Sequence, residues 1–168
     1  VIAGLINTPW ILKFLPGPLF DYFRKIGRKR FIIAGGLLGA FSLFPLAILN
    51  PVYHVIPFTI LFFTSHLGIV FLDVSADALA IETSVYSERG KINASMTSGL
   101  FFSLAMSGIF FAFIGQTFGY NSVFIIAGFI VLLLLILPFF VKEKEKIRKK
   151  RKVRSILIKE FSKKNTIL

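Results

Sequence analysis

Residues 9–30 read PWILKFLPGPLFDYFRKIGRKR, and this stretch decides the class of the chain. Its first part is apolar yet carries Lys13. It then meets Asp21 and runs into a turn holding Arg24, Lys25, Arg28, Lys29 and Arg30. A charged side chain inside an apolar span is expensive, so Lys13 marks a transport pathway or an ion pair. Cations clustered between two hydrophobic blocks mark a cytoplasmic loop. Together they predict a polytopic membrane protein, with a transporter as the leading class.

Outward from this stretch lie five apolar blocks, at about 1–23, 31–49, 56–84, 94–118 and 123–141. Each is long enough, at ~1.5 Å per residue, to cross a hydrocarbon core ~30 Å thick. Backbone in lipid must satisfy its own hydrogen bonds, so the blocks are predicted to be helices: an all-α integral membrane fold with five transmembrane helices. The mean hydropathy of +0.79 fits that reading and not a soluble domain with alternating faces. There is no cysteine, which excludes disulfides and thiolate metal sites, and two histidines are too few for a metal cluster. No cofactor and no metal are expected. The first block has no basic leader and no small-residue cleavage site, so it does not read as a secretory signal.

The cations sort by loop. Five lie in the first loop, Arg89 and Lys91 lie in the third, and twelve of the 20 follow Val141. The second loop (NPVYHV) and the fourth (GQTFGYNS) have none. This alternation predicts that the first and third loops and the basic segment 142–168 are cytoplasmic, with Val1 at the outer face. A chain opening at span depth on the outer side is expected to be part of a longer one, with a helix upstream. In the basic segment, Val153, Ile156, Leu157 and Phe161 recur at one-face helical spacing. That pattern fits an amphipathic helix on anionic headgroups. It fits equally a solvated linker whose charge fixes topology. The net charge of +12 is therefore not read as nucleic-acid binding.

The chemistry rests on few residues. Lys13 lies eight residues before Asp21, ~12 Å up a helix from its cytoplasmic end. It could contact a substrate anion, or pair with a carboxylate on another helix. The third block offers Asp73 and Asp77, four apart and so on one helix face, with Glu82 nearer the cytoplasmic end. Asp73 lies at a depth comparable with Lys13, so a Lys13–Asp73 pair can form if the two helices are neighbours. The functional reading is a proton or substrate site, or an alternating-access gate; the plainer one is static pairing near the inner surface. Trp10 could stack on a ligand or simply pack. Pro9, Pro16 and Pro18 should bend or break the first helix, and broken helices often line substrate routes. Small residues recur at fourfold spacing in the second block (Gly35, Gly39) and the fourth (Ser95, Gly99, Ser103, Ser107), which predicts close helix packing within the chain. No phosphate-binding glycine loop and no protease signature is present.

These residues resemble a known family. Gly17-Pro-Leu-Phe-Asp21, followed by Gly27-Arg28-Lys29-Arg30, is similar to the Gly-x-Leu-x-Asp-Arg-x-Gly-Arg-Lys loop signature of the major facilitator superfamily. Asp21 and Gly27 stand further apart here than in the common form, and Tyr22 replaces the usual arginine. With Pro9-Trp10 and Lys13 ahead, and Asp73-Val-Ser-Ala-Asp77-Ala and Glu88-Arg89-Gly90 behind, the pattern resembles one branch. That branch holds the muropeptide permeases, the acetyl-coenzyme A transporters and the folate–biopterin transporters. The resemblance implies that the five spans are helices two to six of a twelve-helix transporter. The basic segment would begin the central loop, and a C-terminal half would be the partner of this one. It further implies that Gly17, Asp21, Arg28 and Lys29 stabilise one conformational state through contacts across the helix ends. The expected function is secondary transport of a small solute, with Lys13 favouring an anionic one, in a lipid bilayer. The alternative is a multi-pass scaffold or assembly subunit built on the serine–glycine ladder. A membrane enzyme ranks third, since the carboxylates lack a nucleophile or metal set.

Overall fold

The structure is a computed structural model that describes residues 2–13 and 27–141. Gly17 and Asp21, with Pro16, Pro18 and the basic segment 142–168, lie outside the described residues. Among the described residues every regular element is helical. α1 is Ile2–Ile11, α2 Arg28–Leu46, α3 Val55–Thr83, α4 Arg89–Phe118, α5 Tyr120–Leu134 and α6 Leu137–Phe140. Four stretches are long and apolar enough to cross a membrane: Arg28–Leu46, Val55–Thr83, Tyr86–Phe118 and Tyr120–Phe140. The chain is an all-α membrane protein.

Local chemistry sets the helix ends. Gly27 precedes α2 at φ 91°, a backbone conformation that side chains disfavour and glycine adopts freely. Arg28, Lys29 and Arg30 then form the first turn of α2, so cations expected in the loop open the helix instead. α2 closes beyond Pro45, and the Asn50 carboxamide oxygen accepts the Val52 N–H at 2.9 Å to tighten the next turn. α3 has 29 residues, ~43 Å of helix, more than the hydrocarbon layer needs. Gly119, at φ 86°, separates α4 from α5. α5 loses its regular ladder at Leu135, where amide N–H groups reach back three residues as well as four, just ahead of Pro138 in α6. Pro9 lies buried inside α1, which ends at Ile11, and residues 12–13 form a turn.

The core is built by α2, α3 and α5. Gly35, Gly39 and Gly68 let α2 and α3 touch backbone to backbone. A Cβ on Gly68 would stand 2.5 Å from the Gly39 nitrogen and 2.6 Å from the Gly35 oxygen. At one end Leu43, Leu46, Ala47 and Phe124 form a buried cluster against Phe58 and Phe62. Phe124 meets Phe58, Phe62 and Tyr120 edge-on, with ring centroids 4.9–6.1 Å apart. At the other end Ile32, Leu79 and Leu135 pack with Leu72 and Ala76. α1 packs principally on α3. α4 stands at the margin: only 6% of its most apolar window is buried, against 44% for α2. Its Ser95–Ser107 ladder meets no close neighbour among the described residues, where a Cβ on Gly99 would touch nothing. Ser103 and Ser107 donate their hydroxyls to carbonyls of α4 itself.

Candidate functional site

The site is the strip of α3 that faces α1, and it continues to the end where α2 and α4 begin. Asp73 lies ten residues before Thr83, ~15 Å from the α3 terminus. Lys13 follows α1 in a turn closed by Leu12 N–H on the Thr8 carbonyl. That turn swings the lysine onto α3, and its Nζ reaches Asp73 Oδ2 at 3.3 Å. The pairing open to these two residues from their depths is thus present. Their side chains are 44% and 30% exposed, so the pair is open on one side. The Lys13 ammonium also stands 5.8 Å from the Trp10 ring centre, within cation–π range. Trp10, one turn back on α1, is therefore an aromatic wall for the lysine.

Asp77, one turn beyond Asp73, opens onto a cleft of about 370 Å³ that it shares with Val74, Arg28, Glu82, Asn93 and Met96. Here α2, α3 and α4 meet. Arg28 is 5% exposed, and its Nη2 donates to Glu82 Oε1 at 3.4 Å. This second pair lies nine residues along α3 from Asp73, ~14 Å. It ties the first turn of α2 to the last turn of α3. Of the loop signature, Arg28 is held in this pair, Gly27 shapes the turn before it, and Lys29 stands in the same first turn of α2.

Sequence reasoning missed the Arg28–Glu82 pair, because Arg28 reads as one topology cation among several. It also missed His66. The His66 Nδ1 lies 3.0 Å from the Phe62 carbonyl oxygen. A carbonyl only accepts, so Nδ1 carries the proton and Nε2 is left to accept or be protonated. His66, Asp73 and Asp77 are spaced seven and four apart, which places them on one stripe of α3. A helical-period scan for titratable residues would have found it. Among the described residues no group of three His, Cys, Asp or Glu side chains could hold a metal ion.

Two interhelical ion pairs stacked along one membrane helix can hold a conformation and can be exchanged for other partners. That is a device for gating or binding. No curated protein and no solved structure matches the chain significantly. The family model described as Major Facilitator Superfamily matches residues 2–168. With four spans of membrane length and charges paired between helices, the chain belongs to the Major Facilitator Superfamily, a family of membrane transporters.

Proposed function

We propose that this chain forms helices two to six in the N-terminal half of a secondary transporter, which moves a small solute by alternating access. The observation that carries the reading is the Lys13–Asp73 pair, set within the apolar layer and joining two helices of a facilitator-family chain. Charges kept at that depth usually serve a pathway or a conformational lock. Lys13 favours an anionic solute, and Trp10, Asp73 and Asp77 complete the route. Arg28, with Lys29, Gly27, Gly17 and Asp21, forms the gate at the helix ends, where exchanging the Arg28–Glu82 contact for other partners would loosen the first turn of α2 from the last turn of α3. The basic loops and the segment 142–168 face the cytoplasm, and the latter opens the central loop. The Pro9-Trp10…Lys13 and Asp73…Asp77 patterns support the branch of muropeptide, acetyl-coenzyme A and folate–biopterin carriers. The uncovered face of α4 is where the remaining helices of the transporter would pack.

The test is uptake by the full-length protein carrying Asp21→Asn or Lys13→Gln. Both variants should reach the membrane at normal levels and lose most transport. Normal uptake in Asp21→Asn would remove the gate from the proposal. Normal uptake in both would leave the multi-pass scaffold as the better reading.

A further inference from the structure

Two carboxylates on one face of α3 share a single ammonium. Lys13 bonds Asp73 at 3.3 Å, and Asp77 stands one turn, ~6 Å, further along the helix. Whichever carboxylate Lys13 serves, one negative charge is left over. The lining of the cleft beside Asp77 does not cancel it. Among the described residues the charged groups of that lining are Arg28, Asp77 and Glu82, one positive against two negative, and Arg28 is bonded to Glu82. Arg89 and Lys91, at the start of α4, lie outside the lining, and the Arg89 guanidinium stands 5.5 Å from the Tyr86 ring centre. The walls indicate which positive group suits the odd carboxylate. Val74, Ala78 and Ile81 of α3 and Met96 of α4 are apolar, and Asn93 adds one amide. A hard metal cation takes about six oxygen ligands. With Glu82 held by Arg28, Asp77 and Asn93 cannot supply them. The volume of about 370 Å³ is instead that of a small organic group, within the roughly 300–1,000 Å³ of small-molecule sites.

We propose that this cleft is the subsite for an organic ammonium group of the transported solute, with Asp77 as its counterion. This rests on the transporter reading above. The ammonium N–H groups donate to the Asp77 carboxylate and the Asn93 carbonyl, and the attached carbon lies against Val74, Ile81 and Met96. Lys13 takes part without leaving Asp73. Its ammonium has three N–H groups, Asp73 engages one of them, and its side chain is 44% exposed. A negative group of the same solute can therefore add to Lys13 while the ion pair stays in place. The solute class that matches the strip is a zwitterion whose opposite charges lie about one helical turn apart, ~6 Å. A solute with negative charge alone would meet both carboxylates as well as the lysine and would leave Asp77 unanswered.

The sequence has no cysteine, so a single thiol can be placed in the cleft as Met96→Cys. The experiment uses the full-length protein in lipid nanodiscs, with any cysteine outside these residues replaced by serine. Two methanethiosulfonates of similar size are compared, one ending in trimethylammonium and one in sulfonate. The ratio of their rates at Met96→Cys should fall about tenfold when Asp77→Asn is added, since a cleft of one sign concentrates its counterion. It should hold when Asp77→Glu is added instead. Competition against the trimethylammonium reagent then separates the sources of the positive group. Butylammonium and γ-aminobutyrate should each slow labelling several-fold, and butyrate and sodium chloride at equal ionic strength should not. Stronger protection by γ-aminobutyrate, lost in Lys13→Gln, identifies a zwitterion. Equal protection by the two amines keeps the subsite and withdraws Lys13 from it. A rate ratio that Asp77→Asn leaves unchanged overturns the subsite, as does protection by sodium chloride equal to that by butylammonium. A ratio that responds to Asp77 only after Arg24 and Lys25 are replaced by glutamine overturns it too, because the loop's own cations then answer the carboxylate. If the ratio ignores Asp77 while Asp21→Asn and Lys13→Gln lose transport, the subsite falls and the transporter reading stands. A cation-selective cleft with normal uptake in both variants removes the solute, and this inference with it.

Discussion

At the scale of single residues, the question is whether Lys13 and Asp73 hold the fold or serve a route through it. Removing one partner leaves an intramembrane charge costing roughly 2.5–3.5 kcal/mol on insertion scales, whereas removing both leaves none. Lys13→Gln and Asp73→Asn should therefore each lower the thermal stability of the detergent-purified protein. The double variant should recover to within about 1 kcal/mol of wild type, since neutral replacement of a pair is often harmless. Transport should stay lost in the double variant; recovered transport would make the pair purely architectural. Arg28 and Glu82 make a second test, because their contact at 3.4 Å joins two helix termini. A double-mutant cycle with alanine at each should give a coupling of about 0.5–3 kcal/mol, and additivity would show that the contact carries no energy. These pairs also separate what is legible in a sequence from what is not. Lys13 and Asp73 can be matched on depth alone, because a charge in hydrocarbon needs a partner and few exist at its level. Arg28 cannot, because a cation in a basic loop has a sufficient explanation already. Only the fold reveals that it is 5% exposed and aimed at Glu82.

At the scale of elements, α2 and α3 form the rigid pair on which both sites are mounted. Their contact depends on Gly68, whose Cβ would strike backbone atoms that cannot rotate away. Gly68→Ala should force the helices apart and cost about 1–3 kcal/mol or more, as overpacking does, read as a fall in melting temperature. The same change at Gly99, where a Cβ meets nothing among the described residues, should not destabilise this chain by itself and should gain up to about 1 kcal/mol of helix propensity. The contrast inverts the simplest sequence expectation. Gly35 and Gly39 announce themselves by spacing, yet the glycine opposite them stands alone in α3 and carries no pattern. The regular Ser95–Ser107 ladder, the stronger signal, meets no neighbour among the described residues. Spacing reports that a helix can approach something closely, and the partner is a property of topology. Phe124 illustrates the same limit: with 21 phenylalanines in the chain, nothing local distinguishes the one that three other rings surround.

At the scale of the whole molecule, the charges reveal a polarity that no single helix has. Arg28, Lys29 and Arg30 open α2, at the end of the dipole that repels cations by about 0.3–1 kcal/mol each. Arg89 and Lys91 open α4 in the same unfavourable way. Helix stability therefore does not explain their placement. The cytoplasmic placement proposed for these loops would, since cations in short loops favour that side during insertion. The Arg28–Glu82 contact sets the start of α2 beside the end of α3, and a five-residue connection, 84–88, links that end to the start of α4, so the basic termini gather at one end of the bundle. The turn after α2 lies at the other end, and it carries no Lys or Arg. The absence of cysteine makes this polarity directly measurable with single introduced thiols. Tyr53 and Tyr86 are 82% and 84% exposed, in the cation-free and basic connections respectively, so cysteine at either should be tolerated and reactive. In intact cells a membrane-impermeant maleimide should label Tyr53→Cys, and it should label Tyr86→Cys only after permeabilisation. The reverse pattern would invert the molecule in the membrane. Equal labelling of both would mean that Val55–Thr83 does not cross it, which would remove the depth on which the Lys13–Asp73 site depends.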